Sequence, residues 1–426
     1  MSYYGGPPPP GQYGGPPPPQ QGYGAPQQPY GAGPQAPYGS HHGHHAPPPP
    51  PGQYGAPPPG PYGQPPTGQY GPPPGQYGHP QGQYGAAQGQ YQPPQPYAAP
   101  SQGPAAPPSP GYIPGQTAQY DMTPAADQLR SAMKGFGTDE KALIAVLAPM
   151  DALQIAGVKQ AFQARHRRDL MKDVRSETGG YFKEALEAVI RGPLEQDCFT
   201  IHEAIRGMGT KETALNDTLL GRSNADMNAI KMHYRQMFGR TLEQDVKGDL
   251  SMKTERLFEM VMAARRTEES VPVNHQQVEA DVNEIYRATE GKVGSDALLV
   301  CSVFSSRSDA QLRAISQVYF DRYRKSLAEV IKKEFSGHME EALLFILRNA
   351  EDRAHHDAEL FEEAMKGMGT KESMLIRRIV MIHWDRNRMH QAKGAYHHYY
   401  KQELVHRVRG ETSGDYGRFL EALVGL

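Results

Sequence analysis

Met133-Lys134-Gly135-Phe136-Gly137-Thr138-Asp139-Glu140 recurs three more times along the chain, and an acidic residue follows each copy at a nearly constant distance. The second copy reads Ile205-Arg206-Gly207-Met208-Gly209-Thr210-Lys211-Glu212 and the fourth Met365-Lys366-Gly367-Met368-Gly369-Thr370-Lys371-Glu372. The third is looser, Glu290-Gly291-Lys292-Val293-Gly294-Ser295-Asp296. From Gly137 to Glu177, Gly209 to Asp249 and Gly294 to Glu334 the step is 40 residues, and from Gly369 to Glu411 it is 42. Glu177, Glu334 and Glu411 open the similar phrases Glu-Thr-Gly-Gly, Glu-Phe-Ser-Gly and Glu-Thr-Ser-Gly. Four occurrences of loop and acid imply four copies of one structural unit.

The chemistry of such a pair follows from its atoms. Glycines let the backbone turn so that carbonyl oxygens point outward and converge. A carboxylate returned to them by the fold completes an all-oxygen site, which suits a hard cation such as calcium. The loop follows a helix and lacks the Gly-Lys-Ser/Thr ending of a phosphate-binding P-loop, and it lacks the several acids of an EF-hand. For a single copy, glycines that merely end a helix beside a surface acid explain the pattern; four copies in register favour the cation site. Three carbonyls and one bidentate carboxylate leave one to three of calcium's six to eight positions open, which invites a phosphate. The loop tips Phe136, Met208, Val293 and Met368 are apolar where a solvated turn prefers polar residues. They either dip into a membrane interface or fold back onto their own repeat.

Composition divides the 426 residues in two. Of 40 prolines, 36 precede Asp121, which is also the first charged side chain. The remainder carries 44 basic and 46 acidic residues, a net charge of -2. That balance argues against nucleic acid as a partner and against attraction to an anionic membrane by net charge alone. The two cysteines, Cys198 and Cys301, fall inside apolar helical patterns and read as buried reduced thiols. With neither a signal-like start nor a long apolar run, the sequence predicts a cytoplasmic protein.

Before residue 123, Gly-Gln-Tyr recurs among proline runs, and 15 of the 24 tyrosines lie there. Apolar content is too scattered to offset the entropy of ordering, so residues 1–122 are expected to be a disordered tail. Tyrosines spaced along an uncharged chain suit weak self-association; a passive spacer is the alternative. His41, His42, His44 and His45 sit in this tract without the setting of a metal site.

From about Thr123 the apolar spacing becomes helical. Each repeat divides into five short helices, giving repeats at 123–193, 194–266, 276–350 and 355–426. Glu268-Glu269-Ser270-Val271-Pro272-Val273-Asn274 reads as a linker between two halves. In repeat 1 the first helix stops at Gly135 and Thr138 caps the second. Phe182, Ala185, Leu186, Val189 and Ile190 form one apolar face, and Met339, Ala342, Leu343, Ile346 and Leu347 form its counterpart. The fold class is all-α.

Four repeats with Lys/Arg-Gly-x-Gly-Thr and an acid about 40 residues on resemble the annexins, and the Gly/Pro/Tyr/Gln-rich leader is similar to that of the long-tailed, synexin-type members. The resemblance spans about 124–426. It implies a curved disc of four five-helix repeats that docks calcium-dependently on acidic phospholipid membranes. It also implies ligands: the carbonyls of Met133, Gly135 and Gly137 with Glu177; Ile205, Gly207 and Gly209 with Asp249; Met365, Gly367 and Gly369 with Glu411. Repeat 3 departs most, with Lys292 and Gly294 implied beside Glu334. Arg222-Ser223-Asn224 and Arg307-Ser308-Asp309 match a further family phrase at the turn between the second and third helices. No nucleophile elbow, zinc-binding His-Glu-x-x-His or nucleotide loop points to an enzyme. A helical-repeat scaffold for protein partners, with purely structural loops, is the competing reading.

Overall fold

The structure, a computed structural model, describes residues 103–207, 209–250, 252–291 and 296–425. The Gly-Gln-Tyr tract and the four tail histidines lie outside them, as do the loop residues Met208, Lys292, Val293, Gly294 and Ser295.

The described residues form helices only, five to a repeat. Repeat 1 comprises α1 (Thr123–Ala132), α2 (Glu140–Leu147), α3 (Ala152–His166), α4 (Leu170–Glu177) and the opening stretch of α5 (Gly180–Ile205). Gly192, at φ 76° and followed by Pro193, breaks α5, and the stretch beyond the break is the first helix of repeat 2. Then come α6 (Glu212–Leu219), α7 (Asn224–Phe238), α8 (Leu242–Val246) and α9 (Met252–Met262). Repeat 3 holds α10 (His275–Thr289), α11 (Ala297–Ser306), α12 (Asp309–Tyr323), α13 (Leu327–Glu334) and α14 (Gly337–Glu351). Repeat 4 holds α15 (Arg353–Met365), α16 (Glu372–His383), α17 (Arg386–Tyr400), α18 (Leu404–Glu411) and α19 (Gly414–Gly425). None of these helices is long and apolar enough to cross a membrane.

Local chemistry sets the boundaries. Asp151 with Gln154, Thr241 with Gln244, Ser308 with Gln311 and Ser326 with Glu329 form reciprocal capping boxes. Asp139, rather than Thr138, caps α2 by accepting from the Ala142 amide, because the Thr138 hydroxyl is committed elsewhere. Both apolar faces read from the sequence are buried, from Phe182 to Ile190 and from Met339 to Leu347.

Two hydrophobic cores result, and they do not follow chain order. One joins repeats 1 and 4, the other repeats 2 and 3. The segment expected to separate the halves of the chain therefore ties repeats sharing one core: the Thr267 amide donates to the Ser306 carbonyl at 2.8 Å, and Thr267 and Glu268 are buried. Charge joins the two cores. Asp217 on α6, 1 % exposed, accepts from Arg377 at 2.7 Å and from Arg378 at 3.1 Å, and the fully buried Arg378 also donates to the Leu360 carbonyl at 2.6 Å.

His338 of α14 spans repeats 2 and 3, its Nε2 2.9 Å from Asn216 Oδ1. Burial lowers its pKa from 6.5 to about 4. Glu212 lies 3.5 Å from Nδ1 but is half-exposed, so solvent screens it. The unfolded chain then binds a proton between pH 6.5 and 4 that the folded chain refuses. Stability is complete above pH 6.5 and should fall by up to about 3 kcal/mol as pH drops through that window. Denaturant titrations at pH 7 and pH 4.5 are expected to show a smaller loss for His338→Gln than for the parent; equal losses would refute the assignment.

The sequence predicts an unstructured tail to residue 122, whereas residues 103–122 pack on the helices. Tyr112 is 4 % exposed; its hydroxyl donates to Asp197 at 2.6 Å and accepts from Arg222 at 2.6 Å. Burial holds that hydroxyl's pKa well above its usual value. The Ser109 amide and hydroxyl both donate to Asp226, each at 2.7 Å, and Ala106 and Pro104 bond to Glu268 and Ser270. A buried aromatic ring whose polar tip is satisfied and the Ser109 bonds to Asp226 together anchor the segment.

Candidate cation loops

Each loop of the recurring motif is pinned at its base by one main-chain hydrogen bond. Asp139 donates to Ala132, Lys211 to Ala204 and Lys371 to Ala364, each at 2.9 Å. In repeat 3 Asp296 donates to Ala288 at 2.7 Å, so that loop is one residue longer. This explains why its motif reads loosely. Between these pins Gly135, Gly137, Gly209, Gly367 and Gly369 adopt φ from 85° to 119°. A side chain at any of them would meet nothing within 4 Å, so backbone conformation, not crowding, demands glycine.

The loop threonine then reaches across to the distant acid. Thr138 donates to the main-chain carbonyl of Glu177 at 3.1 Å, with its carboxylate at 3.2 Å. Thr210 makes the same pair with Asp249 at 2.9 and 2.7 Å, and Thr370 with Glu411 at 3.3 and 2.7 Å. Three of the four predicted acids thus lie against their loops, and the two-residue insertion in repeat 4 does not prevent it. Glu334 closes α13 and pairs with Lys333 at 2.9 Å; its loop partners Lys292 and Gly294 are outside the described residues.

Met133 and Met365 bury their side chains and Ile205 is half-buried, leaving only main-chain oxygens for any cation. Phe136 and Met368 are fully exposed at the loop tips. Met208 and Val293 are not described. Among the described residues no three His, Cys, Asp or Glu side chains come together, and the carboxylates seen against the loops are Glu177, Asp249 and Glu411. Cys198 and Cys301 are buried free thiols, and burial pushes Cys301 up to about 12.

In repeat 4 a basic side chain of the chain itself reaches two of the predicted ligand oxygens. Arg407 donates through Nη2 to the Met365 carbonyl at 2.9 Å and through Nη1 to Glu411 at 2.5 Å. Two predicted ligands therefore converge on a single guanidinium. Sequence reading passes over Arg407, although the position four before the acid is Asp173, Asp245, Val330 and then Arg407. The Arg-Ser-Asn phrase also gains a role here. Arg222 holds Tyr112, Ser223 caps α7, and Asn224 bonds the Arg266 backbone at 2.8 and 3.1 Å.

The annexin family model matches residues 124–189, 196–261, 280–346 and 356–423. Annexin C1 of Cryptococcus neoformans var. grubii is 42 % identical over 322 residues, 75 % of this chain and 68 % of that protein. Human annexin A7 is 36 % identical over 308 residues, 72 % of this chain but only 62 % of its own length. The calcium-bound structure of annexin (Sm)1 superposes with a TM-score of 0.65 at 27 % identity, covering 73 % of this chain and 92 % of that one.

Proposed function

The chain belongs to the annexin family, and on that premise we propose that it docks on acidic phospholipid membranes in a calcium-dependent way. The family is known generally for this activity. In this reading the main-chain oxygens of Met133, Gly135 and Gly137, of Ile205, Gly207 and Gly209, and of Met365, Gly367 and Gly369 hold calcium with Glu177, Asp249 and Glu411; Lys292 and Gly294 serve with Glu334. When bound, the ion supplies a positive charge that a lipid phosphate can share. Phe136, Met208, Val293 and Met368 enter the interface, each contributing about 1.5–3 kcal/mol if fully buried there. The protein acts from the cytoplasm, without catalysis, and its tail promotes self-association.

The observation that carries this reading is the threefold coincidence of threonine, acid and loop, beside tips that spend Phe136 and Met368 on solvent. A scaffold with purely structural loops gives no reason for a fully exposed apolar side chain to recur at the same tip of two loops. Sedimentation with phosphatidylserine vesicles tests it. The full chain is expected in the pellet with calcium and in the supernatant with chelator; equal partition in both would leave the scaffold reading.

A further inference from the structure

The acid of repeat 4 differs from those of repeats 1 and 2 in its company. Among the described residues, Glu177 and Asp249 pair with no Lys or Arg, and their loop threonines are their hydrogen-bond donors. One helical turn before them stand Asp173, paired with Arg168 at 2.7 Å, and Asp245, which takes the Tyr234 hydroxyl at 2.9 Å. In repeat 4 that position is Arg407, and i, i+4 spacing sets it on the same face of α18 as Glu411. Its guanidinium fork reaches the Glu411 carboxylate and the Met365 carbonyl together, with Glu362 3.4 Å from Nε. Its side chain is 23 % exposed, so the contacts are partly shielded from solvent.

A guanidinium keeps its charge at every accessible pH. Calcium would need the same two oxygens at about 2.3–2.6 Å. A divalent ion and a guanidinium cannot bind those atoms together without placing like charges in contact. Glu362 offers the displaced side chain a second partner close by.

We propose that Arg407 is a resident counter-cation of the repeat 4 loop, which calcium must displace, so that repeats 1 and 2 fill before repeat 4. The proposal rests on the calcium-dependent reading above. A stepwise response follows from the chain itself: two loops are open to calcium, and a third opens only at higher concentration. Arg407 is a positioning residue, since it acts by holding ligands rather than by touching the membrane.

The test isolates repeat 4 in the full chain by combining Glu177→Gln, Asp249→Asn and Glu334→Gln, then compares this background with and without Arg407→Gln by isothermal titration with calcium alone. Arg407→Gln is expected to tighten calcium binding about tenfold to a hundredfold, the worth of one hydrogen bond to a charged group. Arg407→Lys, which keeps the charge but loses the fork, should fall between the two and also serves if the Gln variant folds poorly. Unchanged or weaker binding in Arg407→Gln would overturn the proposal and make Arg407 an ordinary tie between α15 and α18. If the parent chain binds no calcium at all, the calcium-dependent reading fails first; if it binds at repeats 1 and 2 and Arg407→Gln changes nothing, only this inference fails.

Discussion

Replacing Glu177, Asp249, Glu334 and Glu411 together by Gln, Asn, Gln and Gln is expected to abolish calcium-dependent sedimentation with phosphatidylserine vesicles. Each substitution keeps size and removes only charge and bidentate chelation, so every loop retains its carbonyls and loses its one strong ligand. Thr138, Thr210 and Thr370 can still donate to a side-chain amide oxygen, so the loops should hold their shape. Without calcium the variant should melt close to the parent. With calcium the parent should gain stability by mass action, about 2.7 kcal/mol at a hundredfold excess over Kd for one site, while the variant stays still. Equal calcium-induced shifts in both proteins would reduce these four acids to surface charges.

The second large effect concerns folding. Asp217→Ala leaves Arg377 and Arg378 without the carboxylate on which they converge, and Arg378 is 2 % exposed. Breaking a buried pair by removing one partner costs about 3–5 kcal/mol, because the remaining charge keeps its desolvation penalty without its attraction. Glu363, 3.0 Å from Arg378, softens this, but it is over a third exposed and screened by solvent. Since the pair joins repeat 2 to repeat 4, the denaturation midpoint of the whole helical array should fall. A change within about 0.5 kcal/mol, the range of an ordinary surface substitution, would show that the two cores hold together without it.

The features legible in the sequence are those governed by short range and repetition. Glycines with positive φ, helix periods and the 40-residue step to the acid are local or recurring, and Phe182 to Ile190 shows its buried face to anyone counting in steps of three and four. Pairing of repeats is not local. No period tells that repeat 1 shares its core with repeat 4, since that depends on how Phe182 meets Phe419 across the chain. Thr138 misleads for a related reason: a threonine before an acidic first turn looks like a cap, and only the fold's return of Glu177 shows where its hydroxyl goes. Tyr112 is one of 15 tail tyrosines, set apart by Asp197 and Arg222, which lie 85 and 110 residues away. Ile113 beside it is the single Ile, Leu or Val in the first 120 residues, but it stays exposed and so does not explain the docking.

The docked segment also changes where the tail is attached. By covalent order the tail should leave from repeat 1, whose first helix begins at Thr123. Because Gly103 lies against Val271 and Ser270, the start of the docked segment is moored instead at the junction of repeats 2 and 3. Cutting the chain at Asp121 would therefore do more than remove the Gly-Gln-Tyr tract. It would strip Ser109 and Tyr112 from Asp226, Asp197 and Arg222 and leave buried charges facing an open slot. A cut before Gly103 leaves all of these contacts in place, so it removes the Gly-Gln-Tyr tract without touching the helical array.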